Sequence, residues 1–200
     1  MYRKNFISMR FLEGRHKRTI SLLRGFVPRS IVDVGCDDGH FLRLLGKRYP
    51  GAGITACDID PEPVKEARKV APDVDYVVGD FMESALPRAD LVVMLEILEH
   101  TEDPRPFLRK AASLIGSEGR ILVSIPRPEL LHWRIIWGIW SNTLGRRWIG
   151  QHSALTEKEL VGMARECGLE VEKSTRFFFG SISIMLLAKK PAPARAGQPR

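Results

Sequence analysis

From Ser30 to Ile125 the chain is written as five short apolar runs separated by helical stretches, and that alternation leaves few folds open. Ile31–Val34, Gly53–Cys57, Val74–Val78, Leu91–Leu95 and Gly119–Ile125 read as strands. They are apolar at odd and even positions alike, as strands buried on both faces are. Between them Phe41–Arg48, Pro61–Val70 and a stretch from Pro104 to about Ile115 have helical spacing. Asp103 caps the last of these, and Pro104 and Pro61 stand in first turns, where a missing N–H costs nothing. Sequential strands joined by helices run parallel, so the expected fold is α/β: a mostly parallel sheet with helices on both faces.

Past Pro126 the alternation stops. Residues 130–149 hold all four tryptophans, three arginines and no acid, with Trp133, Ile136, Trp137, Trp140 and Leu144 on one helical stripe. A helix then runs from Thr156 to Cys167, with Gly168 as its stop. Leu169–Phe179 is extended, Gly180-Ser181 turns, and Ile182–Ala188 returns as a closing β-hairpin. The expected organisation is a basic helical arm over residues 1–29, a domain over 30–188 with a Trp-rich cap insert at 130–149, and a disordered tail over 189–200.

Charge follows the same division. The chain carries +7 in all, yet residues 1–29 alone hold eight basic side chains against one acid, and residues 30–188 hold 19 against 23. The body is acidic, so the positive balance is no sign of a nucleic-acid-binding face. Cys36, Cys57 and Cys167 are too few for a disulfide framework and lack zinc-ligand spacing, so free thiols, a cytoplasmic setting and no metal are expected. No apolar run reaches the length of a membrane span.

The turn after the first strand carries the chemistry. In IVDVGCDDGHF, residues 31–41, Gly35 and Gly39 bracket a tight passage from strand to helix. Lacking Cβ atoms, they let a ligand approach the backbone while the helix N-terminus presents N–H groups. Asp33 lies inside the strand, where a carboxylate is costly without a cationic or N–H partner. Asp58 closes the second strand 19 residues after Gly39, placed to accept hydrogen bonds from a ribose diol. A dinucleotide fingerprint starting at Gly35 needs glycine at positions 37 and 40, and the chain has Asp37 and His40 there.

An acid two residues before the first glycine, a glycine four after it, Gly79-Asp80-Phe81 past the third strand and LEILEHTEDP after the fourth together resemble the class I S-adenosylmethionine-dependent methyltransferases. The resemblance runs from about Ser30 to Ala188, and its last motif is similar to the branch containing the ubiquinone and menaquinone biosynthesis enzymes. It implies a Rossmann-like fold with a mostly parallel seven-stranded sheet and an antiparallel C-terminal hairpin, and S-adenosyl-L-methionine as cofactor. It further implies that Asp33, Gly35, Asp37 and Gly39 hold the methionine part. By the same resemblance Asp58 and Ile59 hold the ribose, Asp80 and Phe81 the adenine, and Leu95 and Glu96 line the sulfonium. Asp37 departs from the family pattern, which has a glycine there; the extra carboxylate either helps hold the ammonium or crowds the site.

Methyl transfer is an in-line displacement in which the protein supplies mostly positioning and desolvation. A phenol, enol or hydroxyl acceptor must also lose a proton, and histidine is the usual base near neutral pH. His100, past the fourth strand, and His152, after the Trp-rich segment, are the candidates. Their plainer readings are ordering the following turn and a loop hydrogen bond. His16 and His132 read as helix-face residues, and His40 as structural or cofactor-adjacent. Tryptophan with arginine suits a lipid–water interface, or a lid over the pocket. The expected activity is O- or C-methylation of a small lipophilic molecule, with peripheral membrane contact through 130–149 and the basic arm. RNA or protein methylation, or a noncatalytic cofactor-binding module, are the alternatives. Against the first stand the acidic body and the absence of an Asn/Asp-Pro-Pro-aromatic motif after the fourth strand.

Overall fold

The computed structural model describes residues 6–130 and 155–190. The Trp-rich stretch 131–149, His132, His152 and residues 191–200 lie outside them. The strands are Ser30–Val34 (β1), Gly53–Asp58 (β2), Asp75–Val78 (β3), Ala89–Leu95 (β4), Ile115–Pro126 (β5), Leu169–Phe177 (β6) and Ile182–Lys189 (β7). The helices are Phe6–Ser21 (α1), His40–Arg48 (α2), Pro61–Val70 (α3), Pro104–Leu114 (α4) and Glu157–Glu166 (α5). All seven strands form one sheet in the order β3-β2-β1-β4-β5-β7-β6. The pairs β1–β2, β2–β3, β1–β4 and β4–β5 are parallel, and β7 is antiparallel to both β5 and β6. The expected fold class is the observed one.

The two-sided apolar pattern has its predicted consequence. Val32, Val92, Met94, Ile121 and Val123 enter a core with Leu108 of α4 and Leu160 of α5. Their neighbours Ile31, Leu91, Val93 and Leu122 enter a second core with Leu42 and Leu45 of α2 and Val64 of α3. Asp60 and Asp103 accept N–H bonds from Glu62 and Arg105 and so cap α3 and α4. Thr156 and Glu159 form a reciprocal capping box on α5.

β5 begins at Ile115, four residues before the expected Gly119, and two further boundaries differ from the sequence reading for local reasons. β4 begins at Ala89, two residues before Leu91, because Asp90 is tied to the start of β1. Its carboxylate accepts from Arg29 and Ser30 N–H, and its own N–H donates to the Ser30 hydroxyl. β6 stops at Phe177, because Phe178 and Phe179 already belong to the turn, closed by Ser181 N–H donating to Phe178 O at 2.9 Å.

The sequence left open whether the basic opening helix folds onto the domain. It does, because the turns after α1 carry Leu22 and Leu23 into the second core. Phe11 packs edge-on against Phe177 and Phe178, and Lys173 donates to the carbonyls of Leu22 and Arg24. Strand order reverses between β1 and β4. The carboxyl ends of β1, β2 and β4 therefore open onto one crevice, where α/β sheets bind ligands.

Candidate active site

Gly35 and Gly39 both have left-handed backbones, φ +72° and +79°. A Cβ at Gly35 would stand 2.1 Å from Ile97 Cδ1, and one at Gly39 would stand 2.9 Å from Ala67 Cα on α3. The first glycine therefore admits the segment after β4, and the second lets α2 rest on α3. Asp37 between them is left-handed too, φ +47°. That is the conformation a glycine adopts freely, and aspartate is one of the few side chains to tolerate it. Asp37 N–H donates to Asp58 Oδ2 at 2.9 Å, so the departure from the family pattern is built into the turn. The N-cap of α2 is Gly39, which has no side chain to cap the helix, and Asp38 Oδ1 accepts from His40 N–H at 3.4 Å.

The crevice is acidic. Asp33 is only 3% exposed, and its carboxyl is pushed up to about 8, first by burial and then by the charge of Asp58. Burial, then Asp33 and Asp58, push the Cys36 thiol up as well. Asp58 Oδ1 accepts from Asp60 N–H at 3.0 Å, and Ile59 beside it is 70% exposed, an apolar side chain left open next to a carboxylate. Gly79 N–H donates to Asp58 O, which brings the Asp80 turn to the same edge. Asp80 Oδ1 accepts from Met82 N–H, and its carbonyl accepts from Ser84. Phe81 is buried against Phe107, so its ring anchors this turn from below.

Lys110 of α4 was not singled out in the sequence. Its ammonium donates to the carbonyls of Met82 and Ser84 at 2.9 and 2.8 Å and lies 5.2 Å from the Phe81 ring centre, fastening the Asp80 turn. Nothing distinguished it from the other cations of α4, because its targets are 26 and 28 residues away.

At the end of β4, Leu95 is half-buried and Glu96 is left-handed, φ +56°. Glu96 is ion-paired with Arg15 of α1, another residue the sequence reading passed over. The Arg15 side chain is 13% exposed, and its Nε is buried with no hydrogen-bond partner among the described residues. Glu99 is buried, and its carboxyl is pushed up to about 8 by burial and then by Glu96. His100 ends the 3-10 turn Leu98–His100 and is exposed at the rim. His16 and His40 line a separate cavity of about 220 Å³ between α1 and α2, with Lys17 and Arg43.

A parallel sheet reversing beside a glycine cradle, with an acid closing the neighbouring strand, defines an α/β protein that binds an adenosine-containing cofactor. The profile of a family described as a methyltransferase domain matches residues 8–174, and the chain belongs to that family, as a class I S-adenosylmethionine-dependent methyltransferase. It is similar to the mitochondrial ubiquinone biosynthesis O-methyltransferase of Schizosaccharomyces pombe, 32% identical over 114 residues, 53% of this chain and 41% of that protein. With the ubiquinone biosynthesis O-methyltransferase of Pseudomonas aeruginosa it shares 28% identity over 160 residues, 74% of this chain and 67% of the relative. The chain thus spans less than half the length of the first relative. In fold it matches magnesium protoporphyrin IX methyltransferase of Synechocystis with bound SAH: TM-score 0.73, 18% identity, 95% of this chain and 90% of that one.

Proposed function

We propose that this chain transfers a methyl group from S-adenosylmethionine to an oxygen or carbon of a small lipophilic acceptor. The observation that carries the reading is the acidic glycine cradle at the end of β1, where the carboxyl of Asp33 is buried and Asp58 accepts from Asp37 N–H beside the start of α2. That arrangement complements the ammonium of the cofactor's amino-acid end. Asp33, Gly35, Asp37 and Gly39 hold that end, and Asp58 and Ile59 take the ribose. The turn at Asp80, anchored by Phe81, borders the adenine, and Leu95 and Glu96 line the reacting edge. The cofactor supplies an electrophilic methyl on a sulfonium.

For a hydroxyl acceptor, His100 at the rim takes the proton; His152, outside the described residues, is the second candidate. The relatives named for ubiquinone biosynthesis, and the demethylspheroidene O-methyltransferase of Rhodobacter capsulatus, support a small acceptor. Among the described residues no helix is long and apolar enough to cross a membrane. The tryptophans and arginines of 130–149 and the basic arm support contact with a membrane surface.

His100→Ala is expected to keep the affinity for S-adenosylhomocysteine and to lower kcat by about a hundredfold with a quinol or catechol acceptor. Unchanged turnover removes His100 as the base.

The state of Asp33 gives a test of the cradle. Its carboxyl titrates near 8 in the folded protein against an ordinary 3.8, so between those values the native state holds a proton that the unfolded chain has released. Stability of the cofactor-free protein is therefore expected to fall as pH rises through that window. Pairing with the cofactor's ammonium requires the carboxylate, so binding at pH 7 should expel a proton and tighten as pH approaches 8. Calorimetry in buffers of different ionisation enthalpy measures the release. Binding without it places the ammonium elsewhere.

A further inference from the structure

We propose that Lys110 of α4 is a positioning residue for the cofactor's base: by holding two carbonyls of the Asp80 turn it keeps the Asp80 carboxylate aimed at the exocyclic amine of adenine. It thereby sets the preference for an adenine nucleoside. This deepens the cofactor assignment proposed above and rests on it, and it gives Lys110 no contact with the base itself.

The turn after β3 has little regular structure to hold it. β3 is a four-residue strand at the edge of the sheet, with β2 as its neighbour. Beyond it the N–H groups of Glu83 and Ser84 and the Ser84 hydroxyl all donate to Asp80 O, at 3.2, 2.9 and 2.7 Å. One hydrogen-bonded turn leaves its last carbonyls without partners, as a helix end does, and a lysine can satisfy them. Lys110, half-buried, takes the carbonyls of Met82 and Ser84 at 2.9 and 2.8 Å. Its ammonium also lies 5.2 Å from the ring centre of Phe81, and that ring packs on Phe107, three residues before Lys110 on α4. On the other side Gly79 N–H donates to Asp58 O, so the turn is fixed to α4 and to the end of β2 at once.

The choice of partners points to function. Arg105, also on α4, spends its charge on the carboxylates of Asp103 and Glu166. Lys110 forms no ion pair among the described residues; its charge goes to main-chain dipoles. That fixes the path of the turn without drawing away the carboxylate the crevice needs. Asp80 Oδ1 accepts from Met82 N–H at 2.8 Å, while Oδ2 has no hydrogen bond among the described residues, and Asp80 is exposed. An amine brought to Oδ2 meets an acceptor already in place. An oxo group there sets acceptor against acceptor.

The test is titration calorimetry of the full chain with S-adenosylhomocysteine and with S-inosylhomocysteine, which carries an oxo group in place of the amine. Wild type is expected to prefer the adenine ligand by about tenfold or more. Lys110→Met keeps an apolar stem beside Phe81 and loses both carbonyl bonds. It should bind S-adenosylhomocysteine about tenfold more weakly, because the turn must now be ordered on binding. S-inosylhomocysteine should bind almost as before, so the preference collapses. In an Asp80→Ala background the same substitution should change S-adenosylhomocysteine affinity by about twofold at most, since its target is gone. Lys110→Gln, which retains an N–H donor, carries the test should the methionine variant fail to fold: preference should fall in the same direction and by less. Lys110→Met with wild-type affinity overturns the proposal. So does an equal loss on both ligands, the mark of general loosening, or a tenfold loss that persists without Asp80. A wild type that binds S-adenosylhomocysteine without preference also overturns it, by placing the amine away from Asp80. A wild type that binds neither ligand sinks the cofactor assignment instead.

Discussion

Asp58→Ala is expected to weaken S-adenosylhomocysteine binding by about a hundredfold, because under the proposed ribose assignment two hydrogen bonds from the diol to a charged acceptor would be lost together. The carboxylate also accepts from Asp37 and Asp60 N–H, so the substitution loosens both the cradle turn and the approach to α3. Asp58→Asn separates these roles. An amide retains one acceptor oxygen but turns a donor toward a backbone N–H, and its affinity should fall between wild type and alanine. Asp58 also helps raise the carboxyl of Asp33, so proton release at pH 7 should shrink in either variant. Titration calorimetry reads both quantities. An Asp58→Ala protein with wild-type affinity would place the ribose elsewhere.

Gly35→Ala should destabilise the protein strongly. The added methyl would meet Ile97 Cδ1 at 2.1 Å, and the residue would be held at φ +72°. Overpacking costs about 1–3 kcal/mol and the left-handed backbone about 1–2 kcal/mol more. Pairing it with Ile97→Ala distinguishes the two contributions. The double variant should be less destabilised than the sum of the singles, with the backbone part remaining. Chemical denaturation measures the cycle. Strict additivity would show that the glycine is needed for its conformation alone.

Much of the fold was legible because each strand is buried on both faces and each helix has a cap or a first-turn proline. The turn that carries Asp33, Gly35 and Gly39 beside Asp58 was legible as well, since these residues are spaced by the geometry of a strand, a turn and a second strand. Phe81 illustrates the limit. Its place in the motif marks the turn after β3, but only packing shows the ring buried on Phe107 beneath it. His100 likewise stands where expected in the chain, and its exposure places it at the rim.

Arg15, Lys110 and the Phe179 turn had no comparable signal. Arg15 is one of eight cations in the first 29 residues and meets Glu96 only because the turns after α1 fold that helix back onto the sheet. The phenylalanines read as the end of a strand until the closing hydrogen bond of Ser181 put two of them in a left-handed turn. Local pattern by itself determined the alternation, the sheet's direction and the class of cofactor, because periodicity, caps and motif spacing act over a few residues. Tertiary structure alone decided which cation pairs with Glu96, which lysine fastens the Asp80 turn and which aromatic is left in water. Those depend on contacts between segments that the chain keeps far apart, and on burial, which no short stretch of sequence encodes.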